Sequence, residues 1–156
     1  MKKLSLKHKI ALVELVVFVL IVIWFLGPRS LDRAMQDFDP AAVTEVQAQL
    51  TAFNGQEGRA VTFTQGEEAF DQLLALLDSK KYIPYYLDQG TQRSVTLDYK
   101  VQLDFIQGTS EYTYTFSGDR AIDIGSKTYQ VTDSEAFQQS LLDFLLEQEY
   151  TKLEVH

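Results

Sequence analysis

Between Ile10 and Leu26 the chain runs IALVELVVFVLIVIWFL, seventeen residues with a single charge, Glu14. As a helix this run spans roughly 25 Å, close to the ~30 Å hydrocarbon core of a bilayer. Lys2, Lys3, Lys7 and Lys9 precede it with no acid among them. The excess of cations on that side keeps the N-terminus cytoplasmic and sends everything after Pro28 to the outer face. The reading is therefore a basic cytoplasmic tail over residues 1–9, then a transmembrane signal-anchor helix over 10–27. Trp24 serves as the interfacial aromatic and Gly27-Pro28 as the helix terminus.

Two alternatives belong to the same segment. Leu15 to Leu26 is uninterruptedly apolar and has the length of a signal-peptide core, so a cleaved and secreted product competes with the anchor. The cleavage site argues for retention: a cut after Gly27 places Phe25 at the third position back, and a cut after Ala34 places Asp32 there. Glu14 can mark contact with a partner helix in the membrane. It also lies close enough to the cytoplasmic end to snorkel toward the lysines.

Once those four lysines and Glu14 are set aside, 10 basic and 21 acidic residues follow Leu26, a balance of −11. Such a domain is repelled by phosphate chains, which excludes nucleic acid as a partner. Cysteine is absent, so neither a disulfide framework nor a thiolate metal site is available. Histidine occurs only at His8 and His156, which leaves the domain without a base for a Ser-His-Asp or Cys-His arrangement. No cofactor and no metal are expected, and no catalytic residue is assigned. Asp98, Asp104, Asp119 and Asp123 remain as carboxylates for a hydrolase of acid/base type, but Asp98 and Asp104 fall on the polar side of a strand, where acids are solvated.

Residues 28–40 (PRSLDRAMQDFDP) combine prolines with mixed charge and read as a linker, with Leu31, Met35 and Phe38 at the spacing of a short amphipathic surface turn. From there the domain is expected to run over 41–156. Residues 41–53 fit a helix or a strand; the turn cluster Asn54-Gly-Gln-Glu-Gly58 and the alternating Arg59 to Thr64 after it favour a strand in a hairpin. Thr64-Gln-Gly-Glu67 is a capping box, predicting a helix over about 65–79 with Phe70, Leu73, Leu74 and Leu77 inward. Ser94 to Phe105 alternates without fault, and Glu111–Phe116, Arg120–Ile124 and Lys127–Val131 follow as a meander of short hairpins. A second capping box, Thr132 to Glu135, opens a last helix to about Glu149. The fold class is α+β: an N-terminal transmembrane helix, then a mainly antiparallel sheet of about five strands packed by two helices, in the order ββαβββα. A shift of 68 residues superposes the two capping boxes, their leucines and Tyr82 on Tyr150, either as two copies of one unit or as two answers to one capping problem.

Tyr82, Tyr85 and Tyr86 cluster after the first helix. On a loop such tyrosines offer binding area with few rotors; the competing reading packs Tyr82 and a neighbour against the core. The segments Val61-Thr-Phe-Thr64 and Ala121 to Val131 (AIDIGSKTYQV), each leading into a helix, make residues 42–150 resemble the small membrane-anchored or lipoprotein extracytoplasmic domains of unknown function common in low-GC Gram-positive bacteria. That resemblance implies an envelope location and brings no activity. The expected function is a non-catalytic binding module that engages a protein or cell-envelope component. One alternative is an accessory subunit of a membrane complex acting through Glu14 and its helix; another is a carboxylate-dependent hydrolase.

Overall fold

The computed structural model describes residues 6–54, 57–85, 97–116 and 121–153. Helix α1 (Leu6–Leu26) has 21 residues, about 31 Å of length, and from Lys7 to Leu26 its membrane-length window buries nothing. It extends the expected segment toward the N-terminus through Lys7 and Lys9, as long aliphatic stems allow. At its other end the Gly27 amide still donates to the Ile23 carbonyl at 2.7 Å. A Cβ at Gly27 would collide with that same carbonyl oxygen, so the helix can close here only on glycine.

Residues 28–40 are not a free linker. Arg29 and Tyr82 exchange two backbone hydrogen bonds, both 2.8 Å. A single turn, α2 (Leu31–Ala34), then directs Leu31, Ala34, Met35 and Phe38 into the core, where none exceeds 5% exposure. The helical spacing of Leu31, Met35 and Phe38 was thus a sign of burial. What hides it in the sequence is the short length of the segment and its flanking charges, which leave Asp32, Arg33, Gln36 and Asp37 on the outside. A 3₁₀ turn at Pro40–Ala42, capped by the Asp39 carboxylate on the Ala41 amide, leads into the sheet.

The sheet has eight strands rather than five: β1 (Glu45–Ala52), β2 (Gly58–Thr64), β3 (Tyr82–Pro84), β4 (Tyr99–Gln107), β5 (Ser110–Phe116), β6 (Ala121–Ile124), β7 (Lys127–Val131) and β8 (Thr151–Leu153). Two helices, α3 (Glu68–Asp78) and α4 (Ser134–Leu146), lie between β2 and β3 and between β7 and β8. Residues 41–53 do supply a strand, paired with β2 so that Val46 faces Phe63 and Ala48 faces Val61. The long strand is displaced relative to its expected bounds: Leu97 and Asp98 precede it, it continues to Gln107, and residues 94–96 lie outside the described residues. Gly108, at φ +61, makes the tight return from β4 to β5, a backbone conformation that side chains resist.

The strand order is β3-β7-β6-β5-β4-β1-β2-β8, with every neighbouring pair antiparallel. It follows that β2 and β3 point the same way, as do β7 and β8. Strands of equal direction need a crossover, and the two helices supply them. Each helix therefore carries the chain from one side of the sheet to the opposite edge. Taken from its two ends the order is symmetric, β3-β7-β6-β5 against β8-β2-β1-β4, so each half of the chain contributes the edge strand of the other.

One sheet face is covered. Phe70, Leu73 and Leu77 of α3 and Phe137, Leu141, Leu142 and Leu145 of α4 are buried together with Val46, Leu50, Phe63, Val101, Leu103, Phe105 and Phe116. Leu74 and Phe144 are only partly covered, Phe144 stacking on Phe63 with centroids 5.9 Å apart. Both helices start later than their capping boxes suggest. At the first, the Glu67 carboxylate accepts from the Thr64 amide at 3.1 Å, but the helix begins at Glu68. At the second, Asp133 sits in the left-handed region at φ 56 and its side chain makes no capping bond. The second helix ends at Leu146, before Glu149, which leaves room for β8.

Candidate functional site

Of the tyrosines expected to bind, Tyr82 lies in the core. Tyr82 on β3 has 0% exposure; its hydroxyl donates to the Leu77 carbonyl at the end of α3 at 2.8 Å. It stands edge to face with Tyr114 and Tyr129, at centroid distances of 6.2 and 6.4 Å. Tyr129 in turn donates to the Ala34 carbonyl, stitching α2 to the sheet. This is a packed aromatic core, and the competing reading of Tyr82 holds. Burial pushes the Tyr82 phenol well above its ordinary value, and that of Tyr114 likewise. The Tyr114 hydroxyl is fully buried, with the Tyr82 hydroxyl as its polar neighbour but no acceptor in good hydrogen-bond geometry. Tyr85 is half-buried, its amide bonded to the Thr128 carbonyl. Tyr86 lies outside the described residues.

Glu14 projects from α1 with its neighbours, exposed like the rest of the helix. Nothing in the folded domain approaches it among the interactions described, so no intramolecular site is built there.

Among the described residues, Asp98, Asp104 and Asp123 each stand in a different setting. Asp98 is exposed and lines an open depression of about 420 Å³ with Asn54 and Glu57. Asp123 accepts from the Thr128 hydroxyl at 2.7 Å on an exposed hairpin. Asp119 lies outside the described residues. Asp104 departs from expectation: it is on the polar side of β4 as parity requires, yet only 5% exposed. Its carboxylate accepts from Gln102 Nε2 at 2.9 and 3.1 Å and from Thr113 Oγ1 at 3.0 Å. The amide and the hydroxyl replace the water an exposed acid would have, satisfying the charge-assisted hydrogen bonds that burial demands.

Those contacts belong to a larger arrangement. On the sheet face away from the helices, register places Ala60, Gln49, Gln102, Thr115, Asp123 and Thr128 in one row across β2, β1, β4, β5, β6 and β7. A second row runs Thr62, Gln47, Asp104, Thr113. No described helix packs on this face; in these two rows Gln and Thr side chains predominate at exposed or half-exposed positions, with Ala60, Asp123 and the buried Asp104 among them. Alternation within a single strand sets Gln102 on the outward side; that Gln49, Gln102, Thr115 and Thr128 fall in one row across the sheet was not visible, because row membership depends on register between strands far apart in sequence.

No family model, curated protein or solved structure matches the chain.

Proposed function

We propose that the protein is a single-pass, membrane-anchored binding module, with its N-terminus cytoplasmic and its α+β domain on the extracytoplasmic side. It engages a protein or cell-envelope component through the open face of the sheet. The observation that carries this reading is the combination of an apolar helix of membrane length, none of whose window is buried, with a sheet whose second face is mainly polar and uncovered by any described helix. Rows of Gln and Thr offer both donors and acceptors at the ~4.8 Å spacing of strands, which suits an extended polar partner better than a small molecule needing an enclosed apolar pocket. Four lysines before the apolar run, against Arg29 and Arg33 soon after it, support the cytoplasmic N-terminus.

Photo-crosslinking residues introduced at Gln49 and Thr115 in the full chain test the surface, with Asp71 on the outer side of α3 as the reference. Adducts from the first two positions and not from Asp71 are the expected result. Adducts from Asp71 alone, or the same adducts from all three, would sink the open-face reading. Exchanging α1 for an unrelated anchor separates this proposal from an accessory-helix role, since open-face adducts should survive the exchange. Sidedness is read by labelling a single cysteine at Gln49 with an impermeant maleimide on intact cells.

A further inference from the structure

The junction between α1 and the domain is short and fixed at both ends. Gly27 and Pro28 span at most about 7 Å, after which Arg29 is already bonded twice to Tyr82 on β3. The Arg29 guanidinium reaches back to donate to the Phe25 carbonyl at 3.0 Å, where a cation complements the negative end of the helix. The β3 edge is therefore held beside the exit of α1, next to Trp24, which is 72% exposed.

Among the described residues, that edge is richer in cations than the domain as a whole. Although acids outnumber bases about two to one after Leu26, Arg29, Arg33, Lys80 and Lys81 all lie within a few residues of the Arg29–Tyr82 pair. Lys80 is engaged with the Phe137 ring at 5.4 Å, while Arg33 and Lys81 are exposed. Asp32 and Asp78 are the acids beside them. At the opposite edge, the chain entering β8 carries Asp143, Glu147 and Glu149, all exposed, against the cations Lys152 on β8 and Arg59 opposite it on β2. Seven strand spacings, about 34 Å along the sheet, separate the cationic edge from the carboxylate-bearing one.

We infer that the β3 edge, through Arg29, Arg33 and Lys81, docks on the phosphates of the phospholipid leaflet from which α1 emerges. The sheet then stands edge-on with β8 farthest from the surface. This rests on the reading of α1 as a membrane anchor. Net repulsion of the acidic domain by an anionic leaflet adds to the orientation rather than opposing it, because the carboxylates are turned away while the cations meet the headgroups.

The full chain in nanodiscs of phosphatidylcholine and phosphatidylglycerol, with a nitroxide on a fraction of the headgroups, tests both layers of the argument. Trp24 is the only tryptophan and there is no cysteine, so Trp24 fluorescence reports the anchor while single labels at Ile83→Cys and Lys152→Cys report the two edges. Quenching of Trp24 and of the Ile83 label, with the Lys152 label unquenched, is the expected pattern. Added salt, or Arg33→Glu with Lys81→Glu, should lower the docked-to-free ratio, by about fivefold per cation removed. Equal quenching at both labels with Trp24 quenched overturns the docking and leaves the anchor standing. An unquenched Trp24 overturns both.

Discussion

Tyr82 and Tyr114 face each other in one core, yet only the Tyr82 hydroxyl has an acceptor. Removing the two hydroxyls should therefore act with opposite signs. Tyr82→Phe loses a buried hydrogen bond and should lower stability by about 1 kcal/mol, whereas Tyr114→Phe deletes an unsatisfied group and should raise it by about as much; urea midpoints measure both. Burial holds both phenols above the ordinary 10.0, so the folded chain keeps protons that the unfolded chain releases. Their contribution is then fully present below about pH 10 and is lost as pH rises beyond it. Replacing both by Phe should flatten that alkaline loss. Asp104 poses a different question, since its carboxylate is what satisfies Gln102 and Thr113. Asp104→Leu strands both donors and should cost about 2–3 kcal/mol, with Asp104→Asn costing less. The period of two placed Asp104 on its face; its burial comes from side chains two residues along and one strand over, which no single-strand pattern contains.

Among the elements, α2 and the residues around it change where the domain begins. A soluble fragment starting at residue 40 lacks Leu31, Ala34, Met35 and Phe38, and with them the acceptor for the Tyr129 hydroxyl. Losing a single buried Leu commonly costs about 2–5 kcal/mol, against a typical domain stability of about 5–15 kcal/mol. Fragment 28–156 should therefore unfold cooperatively, and fragment 40–156 should melt far lower or not fold; thermal scans followed by circular dichroism decide. Long periodic elements were legible: β1, β2, the meander and both helices appear near their expected places. The short ones were not. β3 and β8 have three residues each, too few for alternation to register, and both exist because a longer neighbour presents an edge to pair with. The helix starts moved because capping-box chemistry fixes a turn without requiring that the turn be helical.

At the scale of the whole molecule, the 68-residue shift corresponds to a real symmetry of element order: strand, helix, edge strand occur twice, and the sheet is symmetric about the β4–β5 pair. Burial does not follow the shift, since Tyr82 is fully covered and Tyr150 is 43% exposed, its ring lying under Arg59 at 4.4 Å. Because each half completes the other's edge, residues 28–90 and 91–156 expressed as separate chains should copurify in a 1:1 complex, with neither folded alone; a folded isolated half, seen by dispersed amide resonances, would contradict the exchange. Sequence pattern could locate the two units but not their swapped edges, which are decided by pairing between residues nearly 100 positions apart. The same pairing has a consequence in time. Gly58 to Ala60 wait for Thr151 to Leu153, more than 90 residues later in the chain, so the sheet cannot be finished until β8 has been made. A polypeptide led by an apolar helix toward a translocation channel would thereby stay threadable until β8 has left the ribosome.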